Sequence, residues 1–265
     1  MIYGFHAPTG GKNGYLTALA DAAHLKTNAL QIFAKSPRAW TTRPLSSLEA
    51  NRFREQRQKL GIVTGAVHAS YLCNVGHPDP EIRQKSQQSL ADDLEKAAAL
   101  GLEYVVLHPG KGNFDDIRKG ILNATLIANN QVRILLENTA GKPFDHLKTL
   151  GELIAGSPVG VCFDTAHAFA AGYPIGEDPK GVLDQLKEFI GLEAIPVIHL
   201  NDSAVEKGSG VDRHADLGTG KMGNSLRYFV LDPLLRDKAF IMETPRDPIH
   251  DASNLSVLRA WLGEA

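Results

Sequence analysis

Short apolar runs of strand length recur along the chain, separated by stretches of helix-forming and polar residues. They are MIYGFHA (1–7), NALQIFA (28–34), TGAVHAS (64–70), EYVVLHPG (103–110), RILLENTA (133–140), GVCFDTAH (160–167), PVIHLND (196–202) and AFIMETP (239–245), eight in all. The clearest helical stretch is PEIRQKSQQSLADDLEKAAALG, where Ile82, Leu90, Leu94, Ala97 and Ala98 recur near helix-face spacing behind a proline start. Eight strands alternating with helices over 265 residues predict a parallel (β/α)8 TIM barrel, with a doubly wound sheet as the alternative. No stretch reads as a linker, so 1–265 is expected to form a single domain.

Six of these eight runs end in a residue able to bind a metal: His68, His108, Glu137, Asp164, His199 and Glu243. Each has an apolar or small residue two positions earlier (Ala66, Val106, Leu135, Cys162, Val197 and Ile241). Side chains alternate along a strand, so each polar group shares its predecessor's side, which in a barrel is the interior. The six are therefore expected to converge at the C-terminal mouth, where such barrels build active sites. Taken singly, each has an ordinary explanation: a strand-end histidine is often a hydrogen-bonded core residue, and Asp164 before Thr165 reads as a helix cap. Together they are harder to dismiss, because buried carboxylates without cations cost several kcal/mol each.

Two further features extend the set. His167 lies three residues past Asp164, and GVDRHADLG places Asp212 and His214 two apart behind a Gly-Ser-Gly run. On an extended segment both side chains emerge on one side and can clasp one ion, with His167 as third donor. Flanking glycines let such a loop fold over the mouth. Imidazole with carboxylate suits zinc, and also manganese or iron.

Composition narrows the setting. With 43% hydrophobic and 22% charged residues, the chain matches an ordinary globular protein. No apolar run reaches the roughly 20 residues of a membrane span, and MIYGFHAPTGG lacks a signal-peptide pattern, so a cytoplasmic protein is expected. Two cysteines, Cys73 and Cys162, are too few for a disulfide framework or a cysteine-rich zinc site. A net charge of −2 argues against nucleic-acid binding by bulk basicity.

The motifs HASYLCNVGHPD, VVLHPG, LLENTAG, CFDTAHAFAAGY, HLNDS and GSGVDRHADLGTG occur in fixed order, and with them the sequence resembles the endonuclease IV family of apurinic/apyrimidinic (AP) endonucleases. The resemblance runs from GFHAPTGG to METP. It implies a TIM barrel with a trinuclear zinc centre that hydrolyses the phosphodiester 5′ to an abasic site in double-stranded DNA, leaving a 3′-hydroxyl and a 5′-deoxyribose phosphate. This is a DNA-repair activity of the deoxyribonuclease IV (phage-T4-induced) type, and a monomer is expected. By motif, His68 and His108 would hold the first zinc, and Glu137 would bridge it to the second. Asp164, His199 and Glu243 would complete the second, and His167, Asp212 and His214 would hold the third. Glu137 and Glu243 are the carboxylates whose loss is expected to abolish cleavage. Three zinc ions would add +6 to the chain's −2, so the charge objection weakens.

The resemblance also places Arg38, Tyr71 and Leu72 as the side chains that enter the duplex at the lesion, a known way to bend and open DNA. Among basic residues on loops after strands, Lys35, Arg38, Lys111, Arg213 and Arg246 are candidates for phosphate contact. Two positions depart from the family pattern: Ala39 stands where glutamine is usual, and GKPFDHLKTL follows LLENTAG with a shorter, less glycine-rich loop. The alternative function is a one-metal sugar isomerase or epimerase of the xylose-isomerase-like barrels, which would use Glu137, Asp164, His199 and Glu243 alone. Such an enzyme has no need of His68, His108, His167, Asp212 and His214.

Overall fold

A computed structural model describes residues 1–11, 13–41, 43–141 and 143–264. All eight apolar runs form strands: β1 (Ile2–His6), β2 (Ala29–Phe33), β3 (Thr64–His68), β4 (Tyr104–Leu107), β5 (Arg133–Glu137), β6 (Gly160–Asp164), β7 (Val197–His199) and, after two short strands described below, β10 (Ala239–Met242). They close into a barrel in the order β1-β10-β7-β6-β5-β4-β3-β2, which rules out the doubly wound alternative. Around them run helices α1 (Leu16–Leu25), α2 (Ser47–Lys59), α3 (Pro80–Leu100), α4 (Phe114–Ala128), α5 (Leu147–Ile154), α6 (Thr165–Ala171), α7 (Pro179–Phe189), α8 (Arg227–Leu231) and α9 (Pro248–Leu262). The fold is therefore the (β/α)8 TIM barrel that the pattern predicts. Among the described residues, no helix is long and apolar enough to cross a membrane.

The helix expected behind the proline start is α3. Asp79 caps it, its carboxylate accepting from the N–H groups of Glu81 and Ile82, and Gly101 ends it in the left-handed conformation at φ 69°. Of the expected face Leu90, Leu94 and Ala97 are buried, whereas Ile82 is half-buried and Ala98 is exposed.

By contact density the chain forms two compact units, one of Gly4–Glu137 with Ser157–Val159 and one of Met1–Tyr3, Asn138–Gly156 and Gly160–Ala265. In the first, parallel register sets Phe33 beside His68, and His68 beside Val106. In the second, Asp164 pairs with His199, and His199 with Ile241. The first unit buries Leu30, Ile32, Val67 and Val105 along its strands, and the second packs Phe163 against Phe229 of α8 at 5.9 Å between ring centroids. Apolar burial at about 25 cal/mol per Å² is the main force holding either layer. Cys73 and Cys162 are both buried free thiols.

The second unit also contains an element that the apolar pattern does not announce. Strands β8 (Asp202–Ser203) and β9 (His214–Ala215) pair antiparallel, Asp202 with Ala215 and Ser203 with His214.

Candidate metal centre

The first donor set grows from three neighbouring strands of the first unit. His68 ends β3, His108 follows β4 by one residue, and Glu137 ends β5. Because Val106 and His108 share a side of their strand, as Leu135 and Glu137 do, the three side chains meet. Each contributes a donor atom, and the three atoms lie within 4.8 Å of one another. His68 Nε2 is 3.2 Å and His108 Nε2 is 2.9 Å from the same oxygen, Glu137 Oε2.

The second set belongs to the second unit. Asp164, His167 and His214 bring donor atoms within 4.8 Å of one another, and Asp212 joins them. Its carboxylate oxygens sit 3.3 Å from His167 Nε2 and 3.2 Å from His214 Nε2. Asp164 does cap a helix, Oδ1 accepting from His167 N at 2.7 Å, while Oδ2 lies 3.7 Å from His214 Nε2. The carboxylate thus caps the helix with one oxygen and turns the other toward His214. Close by, His199 Nδ1 lies 3.3 Å from Glu243 Oε2 and 3.7 Å from Asp164 Oδ2.

These contacts test whether a cation fits. His68 Nδ1 faces the carbonyl of Ala69 at 2.8 Å, His167 Nδ1 that of Asn138 at 2.9 Å, and His214 Nδ1 that of Glu243 at 3.0 Å. A carbonyl only accepts, so in each ring Nδ1 carries the proton and Nε2 of the neutral imidazole presents a lone pair. Every one of those lone pairs faces a carboxylate oxygen near 3 Å. Such a contact calls for a proton or a metal cation between the two atoms, and a ring held by a backbone carbonyl is the usual support of a metal-binding histidine. The donor sets fit zinc-type ions.

Two buried amides that sequence reasoning missed hold this frame. Asn138 accepts from Asp164 N at 2.7 Å and donates to Asp164 O at 3.0 Å. Asn201 donates to Asp164 Oδ2 at 2.7 Å and accepts from Glu243 N at 2.7 Å. Each lies one or two residues after a strand-end donor, and that adjacency is the signal that could have found them.

Of the proposed DNA-contact residues, Arg38, Tyr71, Lys111 and Arg213 are exposed, as is Leu72. The loop bearing Tyr71 and Leu72 is tied to the loop bearing Arg38: Ser70 Oγ and Tyr71 N both donate to Pro37 O, at 2.9 and 3.0 Å. Tyr71 is 62% exposed, and its ring stands edge-on to His68, with centroids 5.7 Å apart. One candidate fails. Lys35 is buried, with Nζ donating to Ser89 O at 2.8 Å and paired with Asp93 Oδ1 at 2.7 Å, so it cannot reach DNA. Arg246 is paired with Asp251 at 2.6 Å.

Comparison with known proteins places this chain. The sequence profile of the xylose isomerase-like TIM barrel matches residues 19–264. A relative named Endonuclease 4, from Thermus thermophilus, is 51% identical over 268 residues, covering 99% of either chain. The crystal structure of endonuclease IV from another strain of Thermus thermophilus superposes with a TM-score of 0.96 at 50% identity, covering 100% of both chains. A D-tagatose 3-epimerase-like protein superposes at a TM-score of 0.74 and 19% identity over 99% of this chain and 97% of its own, a likeness of fold alone. The fold and profile define a xylose isomerase-like TIM barrel. Within that class, the chain belongs to the endonuclease IV family.

Proposed function

We propose that the chain is a DNA-repair endonuclease that hydrolyses the phosphodiester 5′ to an abasic site, leaving a 3′-hydroxyl and a 5′-deoxyribose phosphate, with three zinc ions. Family membership supports the endonuclease reading. The observation that carries it is the second donor set, in which His167 and His214 turn Nε2 toward opposite oxygens of Asp212. A one-metal sugar isomerase has no use for that arm, nor for His68 and His108.

In this reading His68 and His108 hold one ion with Glu137. Asp164, His199 and Glu243 would hold a second, and His167, Asp212 and His214 a third. Bound zinc would lower the pKa of water toward neutrality and offset the growing charge of the phosphate. The protein's own part is to fix these donors through carbonyls, Asn138 and Asn201, so that little reorganisation is needed when the substrate arrives. Arg38, Tyr71 and Leu72 enter the duplex beside the lesion, and Lys111 and Arg213 contact phosphates. The extruded sugar then reaches the donors.

The test is to incubate zinc-loaded protein with a 5′-labelled duplex carrying one tetrahydrofuran abasic analogue, alongside an undamaged duplex and a ketohexose. The expected result is a nick immediately 5′ to the analogue, with a 3′ end that a polymerase extends. An intact duplex together with an epimerised sugar would overturn the proposal.

A further inference from the structure

The motif HLNDS supplies His199 to the candidate centre, yet its aspartate has no part in any donor set. Asp202 is nonetheless fully buried. Oδ1 accepts from the N–H groups of Ser203 and Met222, at 2.8 and 3.0 Å. Oδ2 accepts from those of Gly218, Gly220 and Gly223, at 3.1, 3.0 and 3.1 Å. Five backbone donors on one carboxylate form an anion nest whose anion is the chain's own side chain. One acidic group therefore organises residues 218–223.

That segment is the far end of the loop carrying Asp212 and His214. Its near end is held by the β8–β9 ladder, in which Asp202 itself pairs with Ala215 and Ser203 with His214. Further bonds run from Ala204 N to Arg213 O at 2.9 Å and from Lys221 N to Ser203 O at 2.8 Å. His214 thus lies between two attachments made by Asp202 and its neighbours. Gly220 shows how closely the loop is wound, since a Cβ there would lie 2.5 Å from Asp202 Oδ1 and 2.5 Å from Ser203 O. Gly218 sits at φ +78°, which an L side chain rarely adopts.

We infer that Asp202 is a positioning residue: by gathering the backbone N–H groups of 218–223 it holds the loop so that Asp212 and His214 face His167. The inference rests on the reading of that trio as a metal site. Asp202→Asn keeps the size of the side chain but replaces one acceptor oxygen with a donor amide. Turned either way, that amide meets at least two backbone donors, and the nest opens.

The experiment uses the full chain. Apo wild type and D202N are titrated with zinc against a chromophoric chelator, and amide hydrogen exchange is followed at Gly218, Gly220, Met222 and Gly223. We expect one zinc site to weaken about 10–100-fold in D202N, the range typical of residues supporting metal donors, while the other sites keep their affinity. Protection of those four amides is lost and that of α3 retained. A purely structural role would weaken all sites together and lower protection throughout. H167A is expected to lose the same zinc site with the loop amides still protected, which separates the site from its support. Should D202N fail to fold, Gly220→Ala, which crowds the same carboxylate, replaces it under the same criteria. Unchanged affinities with unchanged protection overturn the inference. A wild type that takes up no zinc would fail the function reading instead, and exchange at the four amides would then decide the role of Asp202 by itself.

Discussion

The donor sets around His68 and around His214 are built in opposite ways. His68, His108 and Glu137 stand on or directly after three adjacent barrel strands, and Glu137 is fully buried. Asp212 and His214 come from a loop held by a two-residue ladder and a buried aspartate, and the side chain of Asp212 is 56% exposed. Strand-borne donors are placed by the same hydrogen bonds that make the barrel, so their geometry costs little to maintain. Loop-borne donors must be ordered separately, against the conformational entropy of a glycine-rich segment. A strand site should therefore be rigid and slow to release its ion, and a loop site adjustable and quicker.

The largest expected effect falls on carboxylates at strand ends. Glu137→Ala and Glu243→Ala should each abolish cleavage of the abasic duplex, measured on protein whose metal content has been checked. Near-normal activity in either variant would remove it from the chemistry. A smaller effect separates the two modes of construction. Under progressive chelation one ion should leave ahead of the others, and His214→Ala should eliminate that early phase, while His68→Ala leaves it in place. Release in a single phase would mean that the loop site is held as firmly as the strand site.

The same contrast explains what the sequence made legible. Continuous apolar runs exposed β1 to β7 and β10, because barrel strands are buried on both faces, and alternation within each run then set the six strand-end donors on one side. Asp212 and His214 were visible as a pair, and the ladder that orients them was not, since two residues carry no periodicity. Asn138, Asn201 and Asp202 act through bonds to backbone groups far along the chain, which residue type does not reveal. Lys35 was misread for a related reason. Lysine is almost never buried unless paired, and its partners on α3, Ser89, Asp92 and Asp93, lie more than fifty residues away.

Two further effects are smaller. Tyr71→Ala should weaken binding to the abasic duplex by about 1–3 kcal/mol, the usual worth of one stacked base, while leaving thermal stability nearly unchanged, since its ring is mostly exposed. A large loss of stability would assign Tyr71 to packing over His68 instead. Asp93 serves as a control for both donor sets, being a buried carboxylate whose cation is a lysine. Burial raises its pKa from the ordinary 3.8 to about 6, Lys35 offsetting only part of the cost. The folded state therefore binds this proton more tightly than the unfolded state does. Its contribution to stability is fully present below about pH 4 and is lost as pH rises through about 6. Urea unfolding across that window should show wild type losing more stability than Asp93→Asn, and equal slopes would contradict the assignment.

The most direct test of the account is the metal content of the wild-type chain after zinc loading and gel filtration, by inductively coupled plasma mass spectrometry. Three ions per chain are predicted, falling by one in His214→Ala. A single ion per chain, unaffected by that substitution, would contradict the account and return the site to the one-metal barrels.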